Sequence, residues 1–509
     1  MAKRCVINVD LADVWEDKAR KRLIRSVAWG DEISVTKEAG THIEIRTTVY
    51  REQSDGSSVS EPIVGYIVPP KSSGLKVADL IRPVKENRVL KVNFVDVQQG
   101  DGSVIELPDG KVILVDGGDN QMFARYLAAR FRNTSKAKPQ EIECMIVTHG
   151  DADHFAGLPE ILKSETNAVA RKQLFIRPKR VYHNGIVKRP SKRNKKNVPD
   201  KELLGPTKLV DGQLYLSKLE ENLLKVNDTE MNQHFLRWKQ VLAEYDRRTK
   251  ITFRRLQYGD IAAFGFANKG DIRFDVLGPL VVDMGGTAML KFLGNPPKGP
   301  RVGHESLSIE EGGFKGHSAS HTINGHSIVF RLSYGGFSYL FSGDLNDEAS
   351  RFLAREHNRG SLNLRSEVFK VPHHGSADFS GAFIQAVAPV ISVVSSGDEN
   401  ERKEYIHPRA TLTGALGKWS RVPEPLVFVT ELVAFFRTEG WSCLTDDKKA
   451  KVRKDFFGFS RTAYGIVKTR TDGRRLFVYT DSGNIKMKES YAYLLDSSGV
   501  PQPTEVIRA

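Results

Sequence analysis

The residues that most constrain this chain are His149-Gly150-Asp151-Ala152-Asp153-His154, which close the largely apolar, β-prone run 142–148. Two imidazoles and two carboxylates fall within six positions at the end of one predicted strand. Backbone alternation sends them toward two neighbouring points. Imidazole nitrogen and carboxylate oxygen together suit Zn²⁺, Mn²⁺ and similar borderline cations. A solvated polar turn is the bland alternative, but chance seldom gathers four such ligands at one strand end.

The other candidate ligands also lie at strand ends. Strands are predicted over 89–97, 103–107 and 111–115, the last ending in Asp116-Gly117-Gly118, and a helix over 121–132. The β pattern resumes at 327–334 and 337–342, ending in Gly343-Asp344. The strand 367–371 ends in Pro372-His373-His374-Gly375-Ser376; 390–395 is another strand, and Ile406-His407-Pro408 follows it. A last hairpin spans 463–480 around Asp472-Gly473. His326, just before the strand 327–334, reads equally as a ligand or a polar loop residue. His183, His234, His304, His317, His321 and His357 lack strand-end context and read as ordinary.

The 509 residues divide by composition into three parts. Residues 1–88 read as a small β-rich module, plausibly a barrel, serving either as a docking or nucleic-acid-binding appendage or as a structural cap. Residues 89–485 form a mixed α/β domain. Inside it, an insertion at about 163–321 loses the regular period, holds a helical stretch with Trp238 at 214–248, and ends in a Gly/Pro-rich mobile loop at 285–316. Residues 486–509 read as a tail.

The net charge is +14, which favours a polyanionic partner. The charge is clustered: residues 171–196 carry Arg171, Lys172, Arg177, Lys179, Arg180, Lys188, Arg189, Lys192, Arg193, Lys195 and Lys196, with no Asp or Glu. Such a run repels itself unless it is solvated or matched by phosphates, so it is assigned to nucleic-acid binding. Beside the metal edge it would favour a nuclease; opposite, a small phosphodiester substrate. Cys5, Cys144 and Cys443 are far apart, which argues against a disulfide framework and for a reducing compartment. The N-terminus offers no apolar leader and no run of about 18 apolar residues occurs, so a cytoplasmic protein with no membrane partner is expected.

Taken in order, VNFVDVQQGD, VILVDGG, THGDADHFAGL, FSGDL, VPHHGS and IHP resemble the metallo-β-lactamase superfamily. Within it they look most like the ComEC-type branch, whose soluble domain is attached to a membrane channel for DNA uptake. The resemblance spans about 89–480. With no channel predicted here, DNA import does not carry over. It implies an αββα sandwich with the site along one edge, and two divalent ions, Zn²⁺ or Mn²⁺. His149, Asp151 and His326 would hold the first ion, Asp153, His154 and His374 the second, and Asp344 would bridge. Asp116 and Asp96 would lie behind the ligands, Asp116 orienting a ligand histidine. Asp153, His373 and His407 would act on water or the leaving group. Two departures stand out. Asp151 replaces a histidine of the wider superfamily, and Gln98 replaces a glycine of the branch's FxDVGQGD pattern. The first puts metal identity in question, the second the loop geometry.

Two such metals activate a hydroxide for in-line attack on phosphorus, which fits a nuclease or phosphodiesterase. The same centre would also suit a small-molecule hydrolase acting on a cyclic nucleotide, phosphoester or lactone. A non-catalytic nucleic-acid-binding protein is the third possibility. A regulatory protein partner, as in a defence system, is compatible with the appended module.

Overall fold

A computed structural model describes residues 2–52, 58–297, 302–308, 313–397, 407–430, 434–437, 458–461, 466–481 and 489–509. Cys443, Ile406, residues 463–465 and 486–488, the 54–57 turn and parts of the 285–316 loop lie outside these. Two compact units result: Met1–Val92 with Glu106–Gly110 and Lys468–Ala509, and Asn93–Ile105 with Lys111–Val467.

The first unit contains a seven-stranded antiparallel sheet, in the order Leu23–Ala28, Leu11–Trp15, Ser58–Ile67, His42–Glu52, Glu32–Ala39, Lys3–Ile7, Ile81–Pro83. Alternating residues such as Ile43 and Ile45 bury one face with Cys5, Ile7 and Val14. The C-terminal residues are not a tail. Ser490–Leu495 pairs antiparallel with both Arg475–Asp481 and Pro501–Thr504. Ala509 joins the core of Cys5 and Val14, its N–H donating to the Leu11 carbonyl at 2.9 Å. Arg475 grips the buried carboxylate of Asp10. Residues from Lys468 onward therefore group with the N-terminal module, whereas the sequence divides them at 485 between the α/β domain and a tail.

The second unit is the expected α/β sandwich. One sheet runs Thr252–Arg255, Arg180–His183, Cys144–Ile146, Val112–Asp116, Gly102–Glu106; the other runs Ile272–Gly278, Val329–Tyr334, Phe337–Phe341, Val368–Lys370, Ile391–Val394, Leu426–Val429. An aromatic seam joins them: Phe94 and Tyr182 of one side meet Phe341 and Phe264, and Phe264 stacks on Phe274 of the other. Helices cover both outer faces. Met122–Arg130 and Gln233–Thr249 share a core with Val112, Leu114 and Met145. Asp347–Asn358, Gly381–Val387 and Ala410–Lys418 share one with Leu340, Phe369 and Val394. The long helix follows from its pattern: Asn232 accepts the Phe235 N–H at 3.0 Å as its cap, and Phe235, Trp238, Leu242 and Tyr245 recur at helical spacing and are buried.

The region read as an irregular insertion is partly framework. It supplies two parallel strands to the first sheet, Arg180–His183 and Thr252–Arg255, and the antiparallel Ile272–Gly278 to the second. The four-stranded patch of Thr207–Val210, Gln213–Leu216, Ala288–Lys291 and Val282–Asp283 stands apart from both, as do the short pairings of Ile176–Pro178 and of Lys192–Arg193 with Lys196–Asn197.

Candidate metal centre

Parallel pairing decides where the chemistry lies. Val112–Asp116, Cys144–Ile146 and Arg180–His183 run in one direction, so Asp116 and His149 leave the same end of their sheet. Phe337–Phe341 and Val368–Lys370 are likewise parallel and deliver Asp344 and His374 together. The two edges are tied by the Ile328 N–H donating to the Thr148 carbonyl at 2.8 Å.

His154 is aimed from behind. Its Nδ1 lies 2.9 Å from Asp116 Oδ2, and Asp116 also accepts the Thr148 N–H and hydroxyl at 2.8 and 2.7 Å. All three residues are buried. This fixes the Nδ1–H tautomer and turns the Nε2 lone pair inward. His154 Nε2 then lies 3.1 Å from Asp344 Oδ1, and His374 Nε2 lies 3.3 Å from both Asp153 and Asp344. Ligand atoms of Asp153, His154, Asp344 and His374 all fall within 4.8 Å of one another. Yet buried His154 Nε2, His374 Nε2 and Asp344 Oδ1 make no hydrogen bond. An orphaned buried polar atom costs about 1–3 kcal/mol. Several aimed at one point without bonding each other are explained by a cation there, so this set fits a divalent ion.

Electrostatics agree. Burial raises the carboxyls of Asp344 and Asp153, but His154 and His374 outweigh it and hold both well below the ordinary range. Burial disfavours charge on His154 and His374, but Asp344 beside each pulls them upward. Burial, aided by the neighbouring His154, presses His149 down to about 4. The backbone is distorted to aim the rings: His373, His374 and Gly375 have φ of 50°, 52° and 86°. Left-handed non-glycine residues cost roughly 1–2 kcal/mol each, strain that such sites often carry. Gln98 does the same at φ 64°, so the loop keeps the turn that glycine favours at that position. Behind it, Gly100 at φ 102° packs so close to Asp153 that a Cβ there would sit 1.7 Å from the Asp153 carbonyl oxygen.

The first set of expected ligands is not assembled in this way. His149 Nε2 is buried, unpartnered and 3.9 Å from Asp344 Oδ2. Asp151 instead pairs with Lys188 Nζ at 2.6 Å. His326 is turned away: its Nε2 donates to the Lys291 carbonyl at 2.7 Å, and it borders a mostly apolar cavity of about 230 Å³ lined by Leu293, Val329, Leu345 and Leu353. Burial lowers its ring to about 4. Asp96 accepts the Gln98 N–H at 2.9 Å and caps a turn.

An open pocket of about 850 Å³ lies over the centre, lined by Gln98, Gln99, Asn120, Lys188, Asn324, His373 and His407 among others. The His373 and His407 rings are 6.3 Å apart. Burial, with His373 and His374 nearby, presses His407 down to about 4.

Three features escaped the sequence. Buried Asp101 pairs with Lys370 Nζ at 2.7 Å and lies 3.4 Å from His374 Nδ1, whose hydrogen bond goes to the Ser395 carbonyl at 3.1 Å; its Gly-Asp position in the QQGD motif was the available signal. His321, read as ordinary, pairs with Asp378 at 3.0 Å on the pocket wall. The basic run is divided. Arg171, Lys172, Arg177, Lys179 and Arg180 precede or open the strand Arg180–His183 and so lie toward the end of the sheet away from the ligands. Glu141 and Glu143 match Arg177, Lys179 and Arg180 at 2.6–3.0 Å. Lys188, Arg189 and the exposed hairpin of Lys192, Arg193, Lys195 and Lys196 follow the strand's other end. Even there Glu230 pairs with Arg189.

Residues 95–212 match the Metallo-beta-lactamase superfamily, so the chain carries a metallo-β-lactamase domain. The chain is also similar to Competence protein ComA of Neisseria gonorrhoeae, 40% identical over 86 residues, which are 17% of this chain and 12% of that protein. It is 32% identical over 98 residues to ComE operon protein 3 of Bacillus subtilis (strain 168), 19% of this chain and 12% of that protein. The matched segments thus span about an eighth of either relative's length. No helix among the described residues is long and apolar enough to cross a membrane.

Proposed function

We propose that this chain is a divalent-metal-dependent phosphodiesterase that cleaves nucleic acid. The observation that carries the reading is the set of buried, unbonded ligand atoms of His154, Asp344 and His374 beneath an open polar pocket. A divalent ion bound there would polarise a phosphoryl oxygen and bring the pKa of water toward about 7. Asp153, His154, Asp344 and His374 would hold it, while Asp116 and the Ser395 carbonyl orient the two imidazoles. His373 faces the pocket with a buried, unpartnered Nδ1 and is placed to pass a proton to the leaving oxygen. Lys188 and the 192–196 cations supply positive charge to a backbone entering from that side.

A small phosphodiester is the second reading, favoured by the carboxylates that neutralise Arg177, Lys179 and Arg180. The test is incubation of the full chain with single- and double-stranded DNA, RNA and bis(p-nitrophenyl) phosphate, with Mn²⁺ or Zn²⁺ and with Asp344→Asn as control. Cleavage of polymers supports the first reading, and turnover of the small ester alone the second. No cleavage of any substrate, with metal shown bound, refutes both.

A further inference from the structure

We infer that this centre holds one metal ion, and that the ammonium of Lys188 takes the place of the other. The inference rests on the reading of the site as a metal centre and deepens it. A divalent ion of this type needs about three protein ligands to be retained. For the first position three were expected besides the shared Asp344, and only His149 remains available. His326 donates its Nε2 proton to the Lys291 carbonyl, at an apolar cavity. Asp151 has both oxygens engaged. Lys188 Nζ donates to Oδ1 at 2.6 Å, and the Asn324 amide, oriented so that both its ends are satisfied, donates to Oδ2 at 2.9 Å and to the Ser320 carbonyl at 3.2 Å.

The two halves of the loop thus have different partners. Asp153 and His154 converge with Asp344 and His374, with ligand atoms left unbonded. Asp151 is closed by two protein donors. Lys188 is held for this role by its surroundings: it follows the buried residues Ile186 and Val187, Asn184 accepts the Ile186 N–H at 3.0 Å, and Asn184 donates to the His326 carbonyl at 2.9 Å. The side chain is about a third exposed and borders the pocket, so the same ammonium can face a substrate anion. A fixed lysine charge next to one ion would supply the electrostatic part of a two-ion clamp without the second ion's ability to activate water.

The experiment is metal counting on the full chain, saturated with Mn²⁺ and desalted, together with its electron paramagnetic resonance spectrum. Wild type should retain one ion and give the six-line spectrum of isolated Mn²⁺. Lys188→Met, which frees Asp151 to join His149 and Asp344, should retain two and give an exchange-coupled spectrum. Asp344→Asn should retain none. Two ions or a coupled spectrum in wild type would overturn the inference, as would no ion at all, or a folded Lys188→Met that retains one. The wild-type spectrum decides the matter even where the variant does not fold. One ion bound without phosphodiester cleavage would refute the proposed substrate and leave this inference standing.

Discussion

Asp116→Asn isolates the orientation of one ligand from its chemistry. Asp116 Oδ2 receives His154 Nδ1 at 2.9 Å inside a buried site. Asparagine keeps the size and an oxygen for the Thr148 N–H, which now bonds at 2.8 Å. Its amide, however, presents N–H to Nδ1 and drives the imidazole to the Nε2–H tautomer, removing the lone pair that faces Asp344. A hydrogen bond to a charged group is worth about 1.5–3 kcal/mol. At about 1.4 kcal/mol per tenfold, that is roughly a 10- to 150-fold weaker affinity. Loss of such supporting partners commonly weakens metal binding by about 10–100-fold, so the two scales agree. Calorimetric titration of the metal-free chain with Mn²⁺ against a competing chelator reads the affinity, with circular dichroism confirming the fold. A Kd within about threefold of wild type in a folded variant would refute the role given to Asp116.

Buried His183, whose Nδ1 accepts the Gly185 N–H at 3.0 Å, is pressed by burial to about 4. Its unfolded value is near 6.5, so between these values the unfolded chain binds the extra proton and stability falls on acidification, by about 3 kcal/mol in all at 1.36 kcal/mol per unit. His183→Asn should flatten urea-unfolding stability between pH 6.5 and 4, and an unchanged slope would count against the assignment. Gly100→Ala forces a methyl against the Asp153 carbonyl oxygen at φ 102° and should cost about 3 kcal/mol or more, read as a lowered Tm together with weakened metal retention. Reversing Lys192, Lys195 and Lys196 to glutamate should weaken DNA binding and flatten its salt dependence, whereas reversing Arg171 and Lys172 should not. Equal effects in a filter-binding series would contradict the division of the basic run.

What could be read in the sequence depended on how far a side chain's fate was set by its own strand. Asp344 and His374 were legible because each directly follows a strand whose direction carries it to the site. His326 had a similar local signal, next to Val329–Tyr334, but its ring direction is fixed by the Lys291 carbonyl, 35 residues away, and by Leu293. Arg180–His183 and Thr252–Arg255 were hidden because their charged residues resemble a solvated loop, while pairing on both sides of Arg180–His183 makes it an inner strand. The C-terminal strands pair among themselves, but the last residues of the chain were mistaken for a tail because Ile507 and Ala509 bond to Asp10 and Leu11, about 500 residues earlier. The basic run shows the same limit: its charges were plain, but the acids that match them, Glu141, Glu143 and Glu230, lie outside it. Lys188 is the sharpest case. Counted with its neighbours it was one cation among eleven; placed against Asp151 it becomes part of the centre. The departure of Asp151 from the histidine of the wider superfamily then has a physical reason. A carboxylate can accept an ammonium and an amide at once, whereas a neutral imidazole offers a single acceptor nitrogen.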